Sequence, residues 1–436
     1  MTRSLKERVF NSGMWVVGNY GIQQLLRFGS NLILTRLLFP EAFGLMAIVQ
    51  TVVLGINLLS DLGINTSIIQ HKRGEDEDFL NTAWTLQIAR GVLLFLVALL
   101  VSDFFADFYH QPMLAQLLPV VAFGMLIQSF RSTKMIVANR TLNMKRNVLI
   151  DLFSYSIGVV VTVLVAWYFR SVWALVVGNL FNAVIAVWAS HQMLPGQHNR
   201  IAWHHASFQE IFGLGKWFFL SSVLTFFSGE GNRLIVGKLL DIRSLGFYTL
   251  ATMLAGVFGQ LISLIVSKIL LPAYSEVVRQ HPERLHSVLT RTRIYIVVPG
   301  YLVAIFLAIY GQEVIDFIYD DRYSSAGKML MLVSIGMFPN IINGSYQGVL
   351  TAKGKVKANT ILQAITIALQ ITLMYFGHHY YGELGVVASF AAANWLLAIP
   401  FAITYYHAGC WQPRMDIPFL VGALVFVLYR ASILLG

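Results

Sequence analysis

Four polar side chains stand in register near the start of the chain: Asn19, Gln23, Arg27 and Asn31. A spacing of four puts them on one face of a helix. Amides bind hydroxyl-rich groups from either side, and a guanidinium grips a carboxylate or phosphate with a fork of N–H donors. Further basic groups sit in apolar surroundings downstream: Arg90, Arg131, Lys134, Arg233 and Lys268. Acids at comparable depth are fewer, namely Asp61, Asp151 and Glu230. Two more stripes run along helical faces, Asn57–Asp61–Asn65 and Gln128–Arg131–Lys134. The balance is positive, which predicts a pocket for an anion, and arginine suits phosphate or pyrophosphate best. Asp61 and Glu230 are the acids expected to couple ion or proton movement, because a carboxyl in an apolar cavity has a raised pKa.

Structural roles compete with these readings. Arg36, Lys134, Lys238 and Lys268 fall at the ends of apolar runs, where a long basic side chain snorkels to the interface. Glu230 and Arg233, three apart, can form an ion pair on one helical face. Arg27 and Arg90 lie too deep to snorkel. A charge at the bilayer centre costs about 2.5–3.5 kcal/mol on insertion scales, so both are expected to face a bundle interior or water.

Positioning such groups requires a membrane fold. The chain has 436 residues, of which 57% are hydrophobic and 12% charged. That charge content is half the roughly 25% of a soluble domain, and the mean hydropathy is +0.66. Runs of about 20 apolar residues read as membrane spans. They fall at 13–38, 42–70, 81–103, 113–139, 147–169 and 172–194, then at 213–240, 246–272, 292–319, 325–352, 358–381 and 383–407. A final run, IPFLVGALVFVLYRASILLG, reads as a thirteenth. The basic N-terminus leads into a run too long for a signal-peptide core, which reads as an uncleaved first span. The expected units are a six-helix lobe over 1–200, a second over 207–407, and an extra helix over 416–436.

With the N-terminus in the cytoplasm, seventeen Lys and Arg fall in inner segments and four in outer loops. This positive-inside bias explains the net charge of +10 as topology, and nucleic acid drops out as a partner. The single cysteine, Cys410, excludes an intrachain disulfide and a cysteine metal cluster. His204-His205 and His378-His379 lack metal-ligand spacing, no phosphate-binding Gly-Lys-Ser loop is present, and the loops are short, so no enzyme is read from the sequence and no cofactor beyond a proton or sodium gradient.

A repeat organises the whole. At an offset of 202, Gly13-Met14-Trp15 falls on Gly215-Lys216-Trp217, Arg36 on Lys238, and Gly44 on Gly246. Six spans per copy is an even number, so the copies run parallel. Two such bundles predict an all-α transporter with a central cavity.

An ordered set of segments then resembles a known family. NLILTRLLFPEAFGLMA, VWALVVGNL, FGLGKW, NRLIVGKLLDIRSLGFYTLA, LPAYSE and GVLTAKGKVKA look like the repeat signatures of oligosaccharide flippases of the polysaccharide-biosynthesis type. These belong to the multidrug/oligosaccharidyl-lipid/polysaccharide exporter superfamily. The resemblance implies a bacterial inner-membrane protein that moves polyprenyl-pyrophosphate-linked oligosaccharides from the cytoplasmic to the outer leaflet by alternating access. Arg27, Arg90 and Arg233 would hold the phosphates in that reading, with Arg131 and Lys134 assisting on the cytoplasmic side. The expected partners are membrane lipids and the polymerase and glycosyltransferases of the same pathway, and the chain is expected to act as a monomer. An ion-coupled drug antiporter and a flippase for lipid-linked peptidoglycan precursors share the fold. A membrane glycosyltransferase or polymerase is disfavoured, since it needs a large outer loop with catalytic groups.

Overall fold

A computed structural model describes residues 5–60, 63–141, 143–213, 231–266, 270–346, 348–353 and 355–435. The described chain is all helix and divides by its contacts into Met1–Lys238 and Leu239–Gly436. Eight helices are long and apolar enough to cross a membrane, or nine if one bent pair is a single span, among the described residues.

The first unit contains α1 (Leu5–Leu37), α2 (Pro40–Leu58), α3 (Ile64–Gln70), α4 (Glu77–Tyr109), α5 (Met113–Ser129), α6 (Lys134–Arg140), α7 (Met144–Phe169), α8 (Trp173–Gln192) and α9 (Gly231–Leu239). Helix α4 packs along α5, α7 along α8, and α1 along α7. Small residues let the α7–α8 pair close. A Cβ on Gly178 would sit 1.7 Å from the Thr162 hydroxyl and 2.8 Å from the Gly158 carbonyl, the small-residue contact that membrane helices use for backbone approach.

Two expected spans are broken. The run 42–70 becomes α2 and α3, with Gly63 at φ 61° between them. The run 113–139 becomes α5 and α6, bent by 65°. Each break has polar residues or a glycine of its own, Ser60 and Gly63 in the first and Arg131, Ser132 and Thr133 in the second. A row on another helix supports both: Trp84, Gln87 and Arg90, three residues apart along α4. A helix end leaves carbonyls without partners, which is expensive away from water. Arg90 donates to the carbonyls of Asn57 and Ser60 at the end of α2. Gln87 donates to those of Ser129 and Arg131, and Trp84 to that of Phe130, at the end of α5. One face of α4 thus satisfies both breaks.

Basic side chains perform the same service elsewhere. Arg140 binds the carbonyls of Ile68, Ile69 and His71 after α3. Lys238 binds the carbonyl of Phe108 near the end of α4, and the Tyr109 hydroxyl donates to Leu234 in α9. These contacts hold α9 to the first unit. The contact boundary therefore falls at Lys238, later than the 200–207 junction drawn from the repeat. The polar stretch after α8 is docked as well. Its backbone bonds the side chains of Asn81, Thr82 and Thr85 on α4.

The second unit contains α10 (Ile242–Ile265), α11 (Leu271–Gln280), α12 (Leu285–Ile318), α13 (Ser325–Ser345), α14 (Val349–Ala352), α15 (Val356–His407) and α16 (Pro413–Leu435). Helix α13 is its axis, packed by α10, α12, α15 and α16. The element order of the first unit recurs: a long helix, a shorter one, a short oblique piece, then a pair. The expected spans 358–381 and 383–407 form that pair, assigned as one helix of 52 residues that reverses at Gly382, where φ is 61° and ψ −142°. Across the reversal Gly377 and Gly385 touch so closely that a Cβ on either would collide with the other's carbonyl.

Candidate functional site

A polar cavity of about 560 Å³ opens inside the first unit, lined by residues of α1 to α7. The two helix breaks form part of its wall, through Asn57 and Asn65 on one side and Gln128, Ser129 and Ser132 on the other. Irregular backbone at membrane depth is tolerated where it borders such a cavity, and broken helices commonly mark transporter binding sites.

Its charged groups among the described residues are Arg90, Arg131 and Asp151. Arg131 approaches Asp151 at 2.6 Å through one terminal nitrogen, with both side chains partly exposed. Its Nε is buried and has no hydrogen-bond partner. Asn147, also in the lining, is 5% exposed and donates to the carbonyl of Met135 and to Asn139, while its Oδ1 is unpartnered. Guanidinium and amide groups lining one cavity suit a ligand carrying both anionic oxygens and hydroxyls.

The predicted site residues separate into groups. Asn19, Arg90 and Arg131 line the cavity. Gln23 donates to Asn19 at 3.1 Å and orients it. Arg27 is exposed on α1 and is not part of the lining, and Asn31 is buried one turn further on. Arg90 has a second duty that its sequence position did not reveal, since its guanidinium ends α2 and also binds the side chains of Asn57 and Ser60. Lys134 is buried and its ammonium is taken by the carbonyls of His191 and Leu194 at the end of α8. It is neither in the cavity lining nor snorkelling. Asp61, Glu230 and Lys268 lie outside the described residues. Arg233 belongs to α9, and its side chain is not described.

Sequence reasoning did not single out Gln87, Asn139 or Asn147. Gln87 is three residues before Arg90, so the face of α4 already assigned to Arg90 was the available signal. Asn139 and Asn147 meet only because α6 turns back into α7.

A separate polar cluster lies in the second unit. Arg293 of α12 is fully buried and donates to Ser345, to Gln412 and, at 2.5 Å, to Asp416 of α16. Its guanidinium lies 3.6 Å from the ring centre of Tyr346, whose hydroxyl donates to Asp416. Each of the three nitrogens of this guanidinium donates to a protein side chain, so the cluster anchors α16.

Comparison with known proteins agrees with this architecture. Residues 33–328 match the model of a family described as "Polysaccharide biosynthesis protein". The "Lipopolysaccharide biosynthesis protein WzxC" of Escherichia coli (strain K12) is 20% identical over 402 residues, covering 89% of this chain and 78% of the relative. Among solved structures, "Lipid II flippase MurJ, inward closed conformation" superposes with a TM-score of 0.70 at 14% identity, covering 95% of this chain and 92% of that one. An inward-facing multidrug resistance MATE family transporter superposes with a TM-score of 0.70 at 13% identity, covering 88% and 94%. At such identities the likeness is one of fold. The family match spans most of the chain and both units: this multi-pass membrane protein belongs to the polysaccharide biosynthesis protein family.

Proposed function

We propose that the chain is a flippase that carries polyprenyl-pyrophosphate-linked oligosaccharide repeat units from the cytoplasmic to the outer leaflet of a bacterial inner membrane. The observation that carries this reading is the cavity in the first unit, whose described lining holds the guanidinium groups of Arg90 and Arg131. Among the described lining residues two guanidinium groups stand against one carboxylate, a positive balance that attracts a phosphate and repels the cationic cargo of a drug antiporter. The surrounding amides of Asn19, Asn139 and Asn147 are donors and acceptors for sugar hydroxyls. The family membership supports a role in polysaccharide assembly, and the name of WzxC points the same way.

Transport proceeds by alternating access driven by an ion or proton gradient, with the N-terminus in the cytoplasm. The chain works as a monomer beside the glycosyltransferases and polymerase of its pathway. Arg131 holds the pyrophosphate, and Arg90 adds field while keeping α2 closed off.

The test is binding of inorganic pyrophosphate to the purified full-length protein by titration calorimetry. Binding that Arg131→Gln weakens at least tenfold supports the reading. Equal binding by both proteins, or none by either, contradicts it.

A further inference from the structure

A second, apolar cleft runs beside the polar cavity. Met14, Trp15, Gly18 and Ile22 of α1 face Val148 and Leu152 of α7 across about 370 Å³. The cleft and the cavity share walls, since Asn19 and Val148 line both. One turn of α1 thus presents Asn19 to the charged cavity and its neighbours Gly18 and Ile22 to the cleft. From Met14 to Ile22 the cleft follows α1 for about 12 Å at the helical rise of 1.5 Å per residue. Trp15 closes one end, with the ammonium of Lys145 held 5.4 Å from its ring centre. Gly18 leaves the floor open: a Cβ built there meets nothing within 4 Å.

We propose that this cleft binds the hydrocarbon chain of the anionic lipid whose head occupies the cavity. The proposal rests on the flippase reading and adds the place of the tail, inside the first unit between α1 and α7. The shared lining carries it, since Asn19 and Val148 border both spaces. A ligand with a polyanionic head joined to a long chain needs an apolar groove that meets the cationic pocket at the point of attachment, and Asn19 and Val148 are that point. Bulk lipid is as apolar as the cleft, so the tail gains little affinity by entering. What the cleft supplies is register: it fixes where the first isoprene units leave the head and so aims the phosphates at Arg131.

The experiment uses the unaltered full-length protein in phosphatidylethanolamine vesicles with a polyprenyl pyrophosphate carrying a diazirine on its first isoprene units. Photolysis is expected to label residues 14–22 and 148–152, and excess unlabelled polyprenyl pyrophosphate to suppress it. Filling the floor with Gly18→Phe is expected to reduce the labelling at least tenfold while inorganic pyrophosphate still binds. Labelling elsewhere, with inorganic pyrophosphate bound, overturns the cleft and leaves the flippase reading standing. Suppression by phosphatidylglycerol as effective as by polyprenyl pyrophosphate also overturns it, marking a groove for bulk lipid. Absence of both labelling and inorganic pyrophosphate binding overturns the two proposals together.

Discussion

Replacing Arg293 tests how the second unit is held together. Arg293 and Asp416 are buried partners, and Tyr346 and Gln412 complete the set. Arg293→Met leaves the Asp416 carboxylate 3% exposed with the Tyr346 hydroxyl as its remaining donor. Removing one member of a buried pair costs about 3–5 kcal/mol, because the other charge stays desolvated. For a unit of this size each kcal/mol moves the melting temperature by about 2–4 °C, so the expected fall is on the order of 6–20 °C. The double variant Arg293→Met/Asp416→Leu removes both charges, and a buried pair so replaced is often neutral or better. It should recover most of the loss. The chain provides its own reporter. Cys410 is fully buried between α15 and α16, and burial holds its thiol above the usual range, so it should resist a thiol-reactive fluorophore until the unit opens. Thermal ramps with such a dye read the transition directly. A single variant as stable as the parent, or a double variant no better than the single, refutes the assignment of Arg293 and Asp416 as a mutually dependent anchor.

Other expectations follow from the same contacts. Arg90→Ala strands the carbonyl of Ser60 past the end of α2, while that of Asn57 keeps the Ser60 N–H and hydroxyl, so the expected loss is about 1–3 kcal/mol for one unsatisfied group. Arg90→Lys should not restore it fully, because one ammonium lacks the fork that spans both carbonyls; thermal unfolding of the two variants checks this. Gly382→Ala meets no steric obstacle but forces a side chain into a conformation that L-residues avoid, at a cost of about 1–3 kcal/mol that the same assay reads.

How much of this was legible in the sequence depends on the kind of contact. Long apolar runs and the offset repeat lead to an all-helical membrane fold in two units, because both are properties of the chain's own periodicity. The depth of Arg90 and Arg131 was legible for the same reason. The breaks after α2 and α5 were not, since Gly63 and the polar run Arg131-Ser132-Thr133 were read inside continuous spans and the row of α4 side chains that supports them is distant in sequence. Lys134 and Arg293 show the complementary blindness. Counting basic residues at span ends treats each as solvated at an interface, whereas one ends α8 and the other is sealed under α16. Part of the basic surplus therefore serves helix ends: Lys134, Arg140, Lys353 and Lys355 all donate to carbonyls at helix C-termini. Separating such uses needs the tertiary partner, which for Arg293 and Asp416 lies 123 residues away.

The central claim is that a cationic cavity in the first unit moves a phosphate-bearing glycolipid. The most direct measurement is translocation of a fluorescent polyprenyl-pyrophosphate-linked oligosaccharide in proteoliposomes, read by quenching from outside under an imposed ion gradient. The account predicts transfer by the unaltered protein and at least tenfold slower transfer by a folded Arg131→Gln variant. Transfer by that variant at the full rate, or none by the unaltered protein under any gradient, would contradict it.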